Sequence, residues 1–189
     1  MRLFIALAPP SDVLHDLDSA CAPLRRGRND LRWTSMGAWH VTLAFLAEVS
    51  DLQLTRLAPR LERSARRHPA FSLSFAGAGA FPSPGRANVL WGGLAGDRQA
   101  LSELAASVTA AARRAGAPPP DGGRKYRPHV TLARCRTPAD VGLMVEALSG
   151  YQGQPWTVEQ MLLIRSRLHE RPRYETLGEW KLRPSPRTG

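Results

Sequence analysis

The sequence predicts one domain in which β-strands and α-helices are interleaved, and three observations carry that reading. A length of 189 residues suits a single domain with a real core and leaves room for two lobes. Runs of period-two alternation rich in β-formers take turns with segments of helical periodicity. One tetrapeptide, His-Val-Thr-Leu, occurs twice, at 40–43 and at 129–132.

Taken in order, residues 2–8 read as a first strand, stopped by Pro9-Pro10. The run is too short for a membrane span and lacks the cleavage site of a leader. Ser11 is a good N-cap, and Val13, Leu14, Leu17, Cys21 and Leu24 recur at helical spacing to about residue 26. Residues 31–34 are short and extended, and 40–46 alternates as a strand. Asp51 caps a second helix to about His68, with Leu52, Leu54, Leu57, Leu61 and Ala65 on its apolar face. Residues 71–75 and 87–94 read as strands joined through the Pro82-Ser83-Pro84-Gly85 turn. Residues 98–115 form a strong helix, and 117–123 a connector. Residues 127–134 are a strand, and Thr137-Pro138 opens a helix to about Leu148. Residues 156–168 and 174–182 pair as a hairpin turning at 169–172. The domain is expected to cover 1–183, with 184–189 as a loose tail.

Composition excludes several classes. There is no Gly-x-Gly-x-x-Gly and no Walker A sequence, so a dinucleotide fold or P-loop enzyme is not supported. Cys21 and Cys135 lie far apart and form no Cys-x-x-Cys pair, which argues against zinc or a disulfide framework. The net charge is +10, and of 26 basic residues only Lys125 and Lys181 are lysine. Arginine's planar fork suits phosphate, so an anionic partner such as RNA fits, although a coding bias toward arginine would look the same. The default expectation is a cytoplasmic monomer with no membrane contact.

The repeated tetrapeptide has a chemical rationale. In a strand, residues i and i+2 share a face. His40 and Thr42 therefore point together, as do His129 and Thr131, while Val41, Leu43, Val130 and Leu132 face a core. Two such units facing each other would put two imidazoles and two hydroxyls in one groove. That set suits phosphodiester hydrolysis. One histidine takes a proton from the attacking water and the other protonates the leaving oxygen. Thr42 and Thr131 can donate to the phosphate oxygens, and Arg134 can add positive charge. A single His-x-Thr would say little, because β-rich segments favour Val and Thr anyway. Two histidines could also hold a metal, but no third ligand type clusters with either motif and no helix carries His-x-x-x-His. No metal ligand and no cofactor is expected. His15, His68 and His169 read as solvated surface.

On these motifs the chain resembles the 2H phosphoesterase superfamily, and within it the RNA 2′,3′-cyclic phosphodiesterases, also called 2′-5′ RNA ligases. The resemblance extends over Arg2–Leu7, Arg32-Trp33, His40–Leu46 with Glu48-Val49, Arg127–Arg134, Leu163–Ser166 and Tyr174-Glu175. Ala47 stands where the family commonly has glycine. The resemblance implies an α+β, bilobal, pseudo-two-fold fold: two sheets with outer helices and a central groove. It implies metal-independent hydrolysis of RNA 2′,3′-cyclic phosphate ends to 2′-phosphates, and reversible ATP-independent 2′-5′ joining of RNA ends. Small nucleotides could also enter such a groove. His129 is assigned the base and His40 the acid, and the symmetry of the motifs leaves the reverse order open. Trp33 and Tyr126 are candidates for stacking on a base. Phe45 falls opposite His40 and Thr42 by alternation and is expected in the core. A non-catalytic RNA-binding module, or an enzyme acting on another cyclic phosphate, stays open at this point.

Overall fold

A computed structural model describes residues 1–120, 125–167 and 174–185. Among them the order is β1 (Leu3–Leu7), α1 (Ser11–Cys21), β2 (Leu31–Trp33), β3 (Val41–Leu46), α2 (Asp51–Arg67), β4 (Phe71–Ser83) and β5 (Arg86–Gly96). There follow α3 (Arg98–Arg114), β6 (Val130–Ala139), α4 (Gly142–Ala147), β7 (Trp156–Val158), β8 (Gln160–Ser166) and β9 (Tyr174–Lys181).

The strands form two antiparallel sheets. One has the order β3-β1-β8-β9, the other β2-β6-β5-β4-β7. The predicted α+β architecture is therefore the observed one, and its two-fold character is visible in the pairing. The strand carrying the first motif lies beside β1, the strand carrying the second lies beside β5, and β2 adds an extra edge next to β6.

The hydrophobic pattern explains how the sheets stack. β1 is an unbroken apolar run and is buried throughout. Its residues Leu3, Ile5 and Leu7 join Val41, Leu43, Leu73, Phe75, Leu90 and Leu132 in one core that both sheets share. Its other face puts Phe4 and Ala6 with Leu162 and Ile164 in a smaller cluster, against which Phe45 and Tyr174 pack.

Several elements depart from the sequence expectation. Ser11 is the first residue of α1 rather than its cap; Pro10 holds that place. Ser50, not Asp51, caps α2: its hydroxyl accepts from the Gln53 amide while the Gln53 side chain accepts from the Ser50 amide. Leu52 is 60% exposed, so the apolar face of α2 is Leu57, Leu61 and Ala65, with Leu54 partly buried against the same core. Thr137-Pro138 opens no helix. Both residues extend β6, which pairs with β5 as far as Ala139 and has lost its β2 neighbour there, so the proline sits on a free strand edge. α4 is correspondingly short. The 156–168 strand is broken at Glu159: Trp156–Val158 pairs with β4, and only 160–166 pairs with β9. The expected turn at 169–172, part of the 117–123 connector and residues 186–189 of the tail lie outside the described residues. Arg183, just before that tail, exchanges backbone bonds with His68 and Ala70.

Candidate active site

The sheets position the two motifs by the same local device. β3 pairs with β1 so that Thr42 opposes Ala6 and Ala44 opposes Ile5, which leaves Leu43 as an extra residue. β6 pairs with β5 so that Thr131 opposes Trp91 and Ala133 opposes Leu90, which leaves Leu132 as an extra residue. Each motif strand thus carries a β-bulge one residue after its threonine. The bulge reverses the alternation beyond it. Phe45 and Arg134, which strict alternation would turn away from the threonines, both face the same groove as the threonines.

That groove has a volume of about 640 Å³ and lies between the sheets. His40, Thr42 and Phe45 bound it from one sheet, Thr131 and Arg134 from the other. Arg2, Phe4, Arg32, Trp33, Ser166 and Tyr174 complete most of its wall. Among the described residues three guanidinium groups line it and no carboxylate does, so its field favours an anion.

Both histidines just precede their strands and are held alike. The His40 Nδ1 lies 3.2 Å from the Ala38 carbonyl oxygen, and the His129 Nδ1 lies 2.7 Å from the Arg127 carbonyl oxygen. A carbonyl only accepts, so Nδ1 donates in each case and Nε2 is the nitrogen left to exchange a proton. Aromatic rings hold the imidazoles from the sides. His40 meets Phe4 and Tyr174 edge-on, with centroids 5.8 and 5.6 Å away. His129 meets Phe81 at 5.1 Å and Trp91 at 6.2 Å. Trp91 lies over Gly79, where an added Cβ would run into the indole, so only glycine leaves room for it.

Burial pushes the pKa of both imidazoles below the ordinary histidine value. The Nδ1 hydrogen bonds oppose this, and at His129 the Arg134 guanidinium pushes it further down. Among the described residues no such cation acts on His40.

Most of the residues singled out from sequence bound the groove: His40, Thr42, Thr131, Arg134 and Trp33. His129 is not among the side chains that bound this volume. It stands two residues before Thr131, with Arg134 near enough to act on its charge. Trp33 has one ring face covered by Arg25, whose guanidinium carbon lies 5.3 Å from the ring centroid. Tyr126 does not line the groove. Its hydroxyl instead donates to the Thr42 carbonyl at 2.9 Å, which ties the segment before His129 to the opposite motif strand. Phe45, expected in the core, instead faces the groove, as Phe4, Trp33 and Tyr174 do. Arg2, Phe4 and Tyr174 were not singled out either. The available signal was an offset: Phe45 follows His40 at the spacing by which Arg134 follows His129.

Residues 14–170, which include both motifs, match the 2′-5′ RNA ligase superfamily model. The chain belongs to this superfamily. It is 31% identical to an RNA 2′,3′-cyclic phosphodiesterase of Thermus thermophilus, over 97% of this chain and 91% of that protein. A protein of the same name from Geobacillus stearothermophilus is 29% identical over 83% of this chain, which spans only 50% of that protein's length. Among solved structures, one from Thermus thermophilus superposes with a TM-score of 0.80 at 27% identity, covering 98% of this chain and all of that one. E. coli LigT complexed with 3′-AMP superposes with a TM-score of 0.76 at 25% identity, covering 96% of this chain and 97% of that one. The superfamily's 2H phosphoesterase fold is thus the fold of this chain. Among the described residues no helix is long and apolar enough to cross a membrane. Among the same residues no group of three or more His, Cys, Asp or Glu side chains could hold a metal ion.

Proposed function

We propose that this superfamily member is a cytoplasmic, metal-independent enzyme that hydrolyses the 2′,3′-cyclic phosphate at an RNA end to a 2′-phosphate. The observation that carries the reading is the doubled motif itself. Two threonines from different sheets line one cation-walled groove, and each is preceded by a histidine whose Nδ1 is tied to a carbonyl. The similarity to proteins named RNA 2′,3′-cyclic phosphodiesterase supports the substrate. The complexes of E. coli LigT with 3′-AMP and ATP support a nucleotide in the groove.

In this reading the cyclic phosphate lies between the motifs. Nε2 of His129 takes a proton from water as the water oxygen bonds to phosphorus. The bond from phosphorus to O3′ breaks, and protonated Nε2 of His40 gives its proton to O3′. The products are a 2′-phosphate and a free 3′-hydroxyl. Thr42 and Thr131 donate to the non-bridging oxygens, and Arg134 balances the charge that accumulates there. Arg134 supports this order of roles, because it favours the neutral form of His129 that a base requires. With an RNA 5′-hydroxyl in place of water, the same displacement joins two ends through a 2′-5′ linkage without ATP, and its reverse cleaves that linkage.

The test is incubation with a nucleoside 2′,3′-cyclic phosphate in EDTA, with the product isomer identified by phosphorus NMR. A nucleoside 2′-phosphate is expected. A 3′-phosphate would overturn the leaving-group assignment, and tight binding without turnover would make the protein a binding module.

A further inference from the structure

Beside the groove lies a second depression of about 810 Å³, bounded by Met1, Ala47, Glu48, Val49, Ser50 and Gln53. Arg2 and Phe45 bound both volumes, so the two are neighbours on either side of this pair. The Arg2 guanidinium carbon lies 5.1 Å from the centroid of the Phe45 ring, which sets a fixed positive charge at the junction.

The geometry points to a second nucleotide subsite: we infer that the depression takes the penultimate nucleotide of the RNA, with Arg2 at the phosphodiester that joins it to the terminal one. This rests on the cyclic-phosphodiesterase reading and adds a length requirement to it. β3 provides the scale. Thr42, at the reacting phosphate, is five residues before Ala47 in the second depression, roughly 13 Å along the strand once the extra residue at the bulge is discounted. Between them stands Phe45, which bounds both volumes and carries Arg2 over its ring. A substrate that continues past Phe45 meets Arg2 first, and its linking phosphate is the one anion it carries there. Beyond Arg2 the lining changes character. Among the described residues Arg2 is the only basic side chain that bounds it. The side chains of Ser50 and Gln53 are engaged at the start of α2. Glu48 offers an exposed carboxylate, an acceptor for sugar hydroxyls or base amines and a poor neighbour for phosphate. The sequence of surfaces therefore reads cation, then neutral ledge with an acceptor, which suits a phosphate followed by a nucleoside.

The experiment compares a nucleoside 2′,3′-cyclic phosphate with a dinucleotide carrying the same cyclic end. Both kcat/KM and the affinity for the corresponding 2′-phosphate products are measured. For the unaltered protein the dinucleotide is expected to be favoured about tenfold in both, the scale of one added phosphate and base contact. Ala47→Trp fills the depression from its wall and is expected to bring both ratios to near one, while mononucleotide turnover reports that the groove is intact. Glu48→Trp, at an exposed position, carries the same test should Ala47→Trp fail to fold. Equal handling of the two substrates by the unaltered protein would overturn the subsite. So would a preference that survives both substitutions. Tenfold tighter dinucleotide binding without turnover of either substrate would support the subsite and overturn the catalytic reading instead.

Discussion

In the four-stranded sheet, the residue that the bulge turns into the groove is Phe45; in the five-stranded sheet, the residue at the same place is Arg134. Everything before that position matches. Each strand has a histidine with Nδ1 on a carbonyl two residues back, a buried valine, a half-buried threonine and a buried leucine at the bulge. The backbone is thus duplicated and the chemistry is not. Both imidazoles have aromatic neighbours, Phe4 and Tyr174 at His40 and Phe81 and Trp91 at His129, but beyond its bulge one half presents the Phe45 ring. The other presents a guanidinium that acts on its own histidine. Two-fold symmetry alone would give two interchangeable imidazoles. Five residues beyond the second histidine stands a guanidinium that adds to the lowering of the His129 pKa, with no such cation among the causes acting on His40, an asymmetry that the proposed acid–base pair would use.

The sharpest way to break this comparison is to remove each imidazole. His40→Ala and His129→Ala are each expected to lower kcat on cyclic phosphate on the order of 10³-fold, with unchanged circular dichroism. The double variant should be little worse than either, because the two act on one displacement. A half that retained turnover within tenfold after losing its histidine would show that the halves do not work as a pair.

Next in size is the cation. Arg134→Gln removes charge facing the phosphate, and kcat/KM is expected to fall on the order of 10²-fold. Its pH profile carries more information than its rate. Both imidazoles titrate below the ordinary histidine value of about 6.5, so kcat/KM should describe a bell centred on the acid side of neutrality. Removing the guanidinium relieves its repulsion of the imidazolium, so the pKa of His129 rises. One limb of the bell should therefore move to higher pH while the other stays. Both limbs moving together would mean that Arg134 acts on the groove as a whole. The same depressed values make the fold more sensitive to acid. Below about pH 6.5 the unfolded chain takes up these protons more readily than the folded one, so stability should fall as pH drops toward the folded-state values.

Phe45 tests the other half. Phe45→Leu keeps the bulk and removes the aromatic face, and KM for a nucleoside cyclic phosphate is expected to rise about tenfold with kcat nearly unchanged. A change confined to kcat would instead place Phe45 with the reacting atoms.

How much of this the sequence showed follows from what each inference used. The tetrapeptide located both motifs because its meaning is local: a histidine, and a hydroxyl two residues on. Arg134 and Phe45 fared differently, although they occupy equivalent places. Strict alternation sends both away from the groove. Arg134 draws attention by its charge, whereas the apolar ring of Phe45 reads as core. The bulge that returns both is a property of strand pairing, set by how β1 and β5 register against their partners, and no periodicity within β3 or β6 records it. The strand conformation of Pro138 and the separation of β7 from β8 have the same origin. A proline is an N-terminal helix signal locally and an edge-strand residue once the neighbouring strand has ended. A strand cannot announce from its own residues which of two sheets it joins. From sequence Tyr126 is an aromatic beside a motif. That its hydroxyl reaches the other sheet depends on a contact 84 residues away in sequence.

The smallest expected effect concerns that contact. Tyr126 belongs to the segment leading into His129, yet its hydroxyl donates to the carbonyl of Thr42 on the opposite motif strand. Burial pushes its phenol well above the ordinary tyrosine value, so it stays a donor at any working pH. The bond fixes one half against the other at the level of the threonines. Tyr126→Phe keeps the packed ring and removes only the hydroxyl, so the loss in stability should be about 1 kcal/mol, read as a lower midpoint in urea with an unchanged slope. If the bond only holds the fold together, kcat on the folded enzyme should not change. If it sets the spacing across which the phosphate is held, kcat should fall about threefold with KM unaffected, because small misplacements act on the displacement more than on binding. The split between stability and kcat therefore measures whether the duplicated halves are merely joined at Tyr126 or are held there in register for the reaction.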